Sequence, residues 1–375
     1  MAEDKRLDKS IIDSQSPMGY TEWKQKLQEN SGLSFTLDYS AAAVGATNTL
    51  NDQDTFSGGV LRLFGQWDLI GRESANTGSL IFKVENRHGY TDPSANGVKD
   101  EIGYVGLMYP TFSDIGTRYT NFFWKQNLNE GDIEIVVGFL DATDWVDVYA
   151  LASPWTGFSN FAFATGGATI ALPDDAALGA YFNAMLTDEI YLITGFTDSN
   201  ADSTDPLNGF DTFTDHEFIK TIELGWVTSR ERFYLDNTHL TYWQSDERVA
   251  AGVNDGQGAS FSYSHSFDEK WMPFFRAGYA KDGGTLLQKS VSTGLGYHWG
   301  SNNSLLGLGV NWGEPNEDTF GSSDLKDQIS IELFTRLQVT QYFQLTPDIQ
   351  YIRDPALNTE ADDSWVFGLR ARLYL

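Results

Sequence analysis

Lys83, Glu85 and Arg87 recur at every second position, which in an extended chain puts two cations and a carboxylate on one face. Such a row can both donate to and accept from hydroxyl groups, the chemistry of a wall on which a polar solute rests weakly. Arg62 and Asp68 in the preceding segment, with Asn121 and Lys125 in the following one, are assigned to the same surface. Trp155, in a long uncharged stretch further along, adds an aromatic face against which C–H groups can lie. These residues form the candidate solute-binding set. Charged neighbours also pair across strands with no ligand involved, so the spacing alone marks a polar face.

No motif points to catalysis or to a bound metal. The histidines His88, His216, His239, His265 and His298 lack the spacing of helical zinc sites and read as surface or lumen residues. Asp198, Asn200 and Asp202 resemble the opening of a calcium loop, but Ser203 and Gly209 stand where that loop needs Gly and Glu. At most an incidental external cation site is expected there. The adjacent carboxylates Asp174-Asp175 and Asp362-Asp363 point apart on turns and do not form a glycosidase pair. Gly307 and Gly309 alternate with Leu306, Leu308 and Val310, as in a strand and not a phosphate cradle. No cofactor is expected, and no enzymatic activity.

The elements that must position the candidate residues are long strands. Trp365, Phe367, Leu369, Ala371, Leu373 and Leu375 share one face, opposed by Val366, Gly368, Arg370, Arg372 and Tyr374. Phe343, Leu345, Pro347, Ile349 and Tyr351 oppose Gln344, Thr346, Asp348 and Gln350 in the same way, and Ile329, Ile331, Leu333 and Leu337 oppose Gln328, Ser330, Glu332 and Arg336. Segments this long, with charges of both signs along the polar face, fit a transmembrane barrel better than a soluble sandwich. Short connections at Thr187-Asp188-Glu189, Thr228-Ser229-Arg230, Ser266–Lys270 and Gln338-Val339-Thr340 alternate with long acidic ones at 198–215, 244–257 and 313–326. That alternation is the mark of outer-membrane barrels.

The predicted fold is therefore all-β, a transmembrane antiparallel barrel. Parity requires an even number of strands, which moves the apolar run Ile102–Tyr109 out of the wall and into one long external loop, His88–Gly116. Sixteen strands remain. Residues 1–33 are assigned to an N-terminal segment, with a short amphipathic helix over 17–30 at the periplasmic mouth, and residues 34–375 to the barrel. The stretch 142–174, with Tyr149, Trp155, Phe158, Phe161 and Phe163, is too apolar to wave in water and is expected to fold into the lumen as a constriction. Asp141, Asp144, Asp147, Asp174 and Asp175 flank it. Outward faces are expected to be apolar throughout, because lipid offers no hydrogen bonds.

Composition agrees and narrows the partners. The chain of 375 residues carries 25 basic against 52 acidic side chains, a net charge of −27 that disfavours nucleic acid and anionic surfaces. It has no cysteine, which removes disulfides, thiolate metal sites and cysteine nucleophiles. With 11 Trp, 17 Tyr and 25 Phe it is not a disordered chain. The charged start, Met1-Ala2-Glu3-Asp4-Lys5-Arg6, has no apolar core and does not read as a signal peptide, as expected of either a cytosolic protein or a mature form with an added start codon.

Several motifs resemble one family. These are Thr346-Pro347-Asp348-Ile349-Gln350-Tyr351-Ile352, Asp354-Pro355-Ala356-Leu357-Asn358 and Phe367-Gly368-Leu369-Arg370-Ala371-Arg372-Leu373 at the C-terminal end. Trp23, Leu27 and Gly32-Leu33-Ser34-Phe35 with Tyr39 at the other end, Asn237-Thr238-His239-Leu240-Thr241 and Trp271-Met272-Pro273-Phe274 add support. The chain resembles the OprB-type carbohydrate-selective porins of Gram-negative outer membranes. The resemblance implies a sixteen-stranded porin, commonly a homotrimer, that sits in the bacterial outer membrane and passes monosaccharides. Two features depart from it: Leu375 ends the chain where porins usually end in Phe or Trp, and the chain is more acidic than an arginine-rich constriction suggests. A cation-preferring general porin for small hydrophilic solutes, and a soluble β-sheet lectin or enzyme, are the competing readings.

Overall fold

The computed structural model describes residues 19–173, 175–300 and 303–375. Pro17, the expected helix start, and Asp174, one end of the expected constriction, lie outside the described residues. Among the described residues sixteen antiparallel strands pair each with its sequence neighbour, and β1 with β16 closes the barrel. They are β1 Leu33–Ala46, β2 Thr55–Ile70, β3 Gly78–Gly89, β4 Gly116–Leu128, β5 Ile133–Leu140, β6 Ala177–Met185, β7 Ile190–Asp198 and β8 Phe218–Val227. The second half comprises β9 Asn237–Ser245, β10 Gly256–Ser264, β11 Trp271–Asp282, β12 Leu287–His298, β13 Leu305–Pro315, β14 Gln328–Thr340, β15 Phe343–Arg353 and β16 Asp363–Tyr374. No helix is long and apolar enough to cross a membrane among the described residues.

The alternation works as written in the sequence. In β16, Trp365, Phe367, Leu369 and Leu373 are exposed on the outer wall, while Ser364, Val366 and Arg370 are buried inside. The helix α1, Tyr20–Ser31, stops at Gly32, whose left-handed φ of 76° lets its N–H reach back to the Gln28 carbonyl. It sits at the rim, with Trp23 edge-on to Phe35 and Lys24 donating to the Leu375 carbonyl.

Three connections differ from expectation. The link β8–β9 is not a three-residue turn: residues 228–236 fold as a 3-10 turn closed by the Arg232–Asp236 ion pair. The β14–β15 turn lies at Gln341-Tyr342, because a register shift at Gln338/Thr340 carries β14 further than alternation suggests. The β11–β12 link is short although external, since Gly283 and Gly284 both take φ of 73°.

The core lies inside the barrel. Two long connections fold inward: residues 90–115 between β3 and β4, and 141–176 between β5 and β6. Ile102, Tyr104, Met108 and Tyr109 are buried against β1, β2, β15 and β16, so the apolar run excluded from the wall still has a packing role. Phe158 and Phe163 pack on Phe274 of β11, and Phe158 also on Phe334 of β14.

The outer wall is not apolar throughout. On β1–β4 the outward positions include the small residues Ala41, Ala43, Gly45, Ser57 and Gly59. Beside them Tyr39 bonds His88 (2.9 Å), His88 bonds Asn86 (3.1 Å), and Asn86 donates to Thr117 (2.9 Å). These polar groups satisfy one another within the strand wall.

Candidate functional site

Register builds a row of alternating charge across four strands. Asp38 of β1 lies opposite Arg62 of β2, Arg62 opposite Glu85 of β3, and Glu85 opposite Arg118 of β4. Opposite charges directly across a ladder stabilise each other and fix which side chains share a level. Arg62 donates to Asp38 through Nε at 3.0 Å, and Arg372 of β16 reaches the same carboxylate at 3.1 Å. Arg87 pairs with Glu85 at 2.6 Å.

The inward loop 141–176 supplies the facing carboxylates. Asp175 bridges Arg87 (3.2 Å) and Arg118 (2.7 Å), while Lys83 lies 3.6 Å from Asp141 and 3.9 Å from Asp144. Cations thus come from the strand wall and many of the carboxylates from the loop. Between them lies a cavity of about 910 Å³ lined by Lys83, Glu85, Arg87, Arg118, Tyr149 and Trp155 among others. Arg62 stacks on the Trp155 ring at 4.1 Å, so it borders the cavity through that ring.

Not every candidate residue reaches this space. Asn121 holds the loop start, donating to Asp144 (3.1 Å) and accepting from the Asp141 N–H (2.8 Å). Asp68 sits near the end of β2 that adjoins α1, where it accepts from Gln66 and Ser79. Lys125 also lies below the cavity, 3.9 Å from Glu134. Both are on the inner face, but tilt and register set them lower than Lys83.

Arg118 is absent from the sequence-derived set because alternation puts it outside. Counting by twos from Asn121 gives an inward Tyr119, yet Tyr119 is 46% exposed on the outer wall and Arg118 is 3% exposed inside. A bulge between Lys83 and Val84, opposite Asn121 and Tyr119, inserts Thr120 and reverses the phase. No local signal in the sequence marks such a bulge.

Buried polar groups hold the loop in place. Asp147 accepts from Arg276 of β11, from the Gly166 N–H and from His239 of β9 (2.6 Å), and Thr241 and Tyr191 close the cluster around Glu223. Burial opposes ionisation of Asp147, but Arg276 and His239 outweigh it and keep the carboxyl below the ordinary range. Further round, Glu332 of β14 accepts from Ser159 N–H (2.7 Å), Ser159 Oγ (3.0 Å) and Asn160 N–H (2.9 Å). Arg370 of β16 donates to the carbonyls of Pro154 (2.7 Å) and Gly157 (2.8 Å). Asn160 then accepts from Tyr104, tying the two inward loops together.

Among the described residues no group of three or more metal-ligating side chains gathers. Asp198 instead ends β7 and accepts from Thr212 and the Asn200 N–H.

The family model described as "Carbohydrate-selective porin, OprB family" matches residues 75–374. The structure of Pseudomonas putida OprB at high pH aligns with a TM-score of 0.76 at 16% identity, covering 95% of this chain and 97% of that one. Its low-pH structure aligns with a TM-score of 0.59 at 14% identity, covering 97% and 100%. A triple mutant of Rhodopseudomonas blastica porin gives 0.57 at 12% identity, covering 92% and 100%. At these identities the structural likeness is one of fold. No curated protein matches the chain.

Proposed function

The chain belongs to the OprB family of carbohydrate-selective porins, outer-membrane channels, and from that premise we propose that it passes monosaccharides such as glucose by passive diffusion. The observation that carries the reading is the central cavity. Donors and acceptors of both signs stand on the β2–β4 side, and the rings of Tyr149 and Trp155 line the same space. A sugar sheds part of its hydration to such a surface and leaves again, because each contact is already balanced by an ion pair. No catalytic step is invoked; the carboxylates that face Lys83, Arg87 and Arg118 are held by those cations.

The test is single-channel conductance of the detergent-purified protein in a planar bilayer, titrated with glucose. Saturable block in the millimolar range is expected. Arg87→Ala removes one charge-assisted donor, frees Glu85 and leaves Asp175 to Arg118 alone, so block should weaken by roughly tenfold, the equivalent of about 1.4 kcal/mol. Cation preference should rise at the same time. Unchanged block and selectivity in a folded variant would remove Arg87 from the site. Stable conductance indifferent to glucose would favour the cation-preferring general porin, a reading the net charge of −27 keeps in play.

We infer as well that copies of the chain associate through the outward face of β1–β4, as the homotrimer common in the family. Small residues there permit close approach of a second wall, and the polar stripe from Tyr39 to Thr117 is better covered by protein than by lipid. Ala43→Trp, on the exposed outer face of β1, should leave conductance intact and shift the detergent-solubilised protein to monomers by light scattering. A wild-type protein that is already monomeric in mild detergent would refute the assembly.

A further inference from the structure

The inward loop 141–176 divides the lumen. Below it lies a second cavity of about 250 Å³, lined on the side away from the central cavity by residues of the β4–β5 and β8–β9 turns. Arg230 joins those turns, donating to the Glu130 carbonyl at 3.2 Å and lying 3.5 Å from Asp132. Asp144, Val148 and Tyr234 line both this chamber and the central cavity, so the slot between them joins the two spaces.

The lower chamber has its own chemistry. Glu134 accepts from the Trp145 indole N–H at 3.3 Å and has Lys125 at 3.9 Å, leaving capacity on its oxygens for further donors. Asp144 is 47% exposed and Asp132 44% exposed, in contrast to Glu85 at 1% in the row above. Tyr234, half exposed at 51%, presents its ring at the slot. Partly free carboxylates beside an exposed aromatic ring, in a space just below the range of about 300–1,000 Å³ usual for drug-sized ligands, suit one small polyol.

We propose that this chamber is a second subsite for a single neutral sugar ring, on the periplasmic side of the constriction. A solute leaving the ion-paired cavity passes the Tyr234 slot, gives its hydroxyl protons to Asp144 and Glu134 as hydrogen bonds, and departs past Arg230. Two weak sites in series shorten each step of the passage, which allows transit without tight binding at either. The inference rests on the reading of the protein as a sugar channel.

Glucose is added separately to the two sides of a single channel inserted in known orientation. In the wild type it should block from both sides. Glu134→Gln and Tyr234→Ala should each weaken block from the periplasmic side by about five- to tenfold, and leave block from the external side within about twofold. Equal weakening from both sides, or none in either folded variant, would overturn the lower subsite. A change in reversal potential in Glu134→Gln with glucose block unmoved would overturn it too, since the chamber would then serve cations. Absence of glucose block from both sides of the wild type would refute the sugar-channel reading itself.

Discussion

Asp147→Ala is expected to release the inward loop 141–176 and raise single-channel conductance severalfold, with added noise, while the barrel stays folded. Asp147 is 1% exposed and is the shared partner of Arg276 and His239, which are themselves 3% and 2% exposed. Removing one member of a buried charged cluster leaves the others uncompensated, a loss of about 3–5 kcal/mol. That loss falls on docking of the loop, because the strand ladder makes no use of Asp147. The residue also holds a left-handed φ of 54°, which Asp tolerates better than Ala. Heat-modified mobility on a gel separates the outcomes: an intact barrel with unchanged conductance would show that other contacts hold the loop. The pH dependence has a definite sign. Because the folded carboxyl lies below its unfolded value of about 3.9, its contribution is complete above pH ~4 and disappears only as pH falls through the lower folded value. Loop release through Asp147 is therefore expected in strong acid and not near neutrality.

Glu332→Ala should loosen both inward loops at once. Its carboxylate receives three bonds from Ser159 and Asn160, and Asn160 in turn accepts from Tyr104 of the other loop. Hydrogen bonds of this kind contribute about 0.5–1.5 kcal/mol each, and waters entering the lumen recover part of the sum, so a net loss of about 1–3 kcal/mol is expected. Limited trypsin digestion should cut after Lys99 much faster than in the wild type, and conductance should rise. Glu332→Gln keeps the acceptor oxygen and should show a clearly smaller effect. Equal protection of Lys99 in the wild type and Glu332→Ala would place the loop junction elsewhere, for instance at the backbone bonds from Tyr109 N–H to Ser159 and from Phe161 N–H to Leu107.

The barrel was legible in the sequence because lipid imposes a period of two that few other environments do, as β16 shows residue by residue. Ile102–Tyr109 illustrates where pattern ends and parity begins. Its apolar content resembles a strand, since a loop that fills a lumen needs a core of its own, and only the even strand count of a closed barrel excludes it from the wall. The placement of the candidate residues was legible in part. Lys83, Glu85 and Arg87 share their strand's inner face, and Trp155 lines the cavity they border. Arg118 escaped because one inserted residue reverses a strand's phase without any mark in composition. Arg276 and His239 escaped for another reason: their partner Asp147 is 129 and 92 residues away, and pairing at that range is decided by closure of the barrel. The polar outward stripe on β1–β4 has no signal in the pattern, because a wall that faces lipid alone predicts apolar side chains.

The strands also differ in length around the circumference, 14, 16 and 13 residues in β1, β2 and β4 against nine in each of β6, β7, β9 and β10. Nine residues inclined at about 45° climb roughly 21 Å, short of the apolar band of about 25 Å usual for such proteins. The cylinder is cut obliquely. Acyl chains along its low side must compress, or the whole body must lean, and either response costs a fraction of a kcal/mol per Å of mismatch. The high side carries the polar stripe, so the bilayer is asked to deform on the flank that faces lipid most directly.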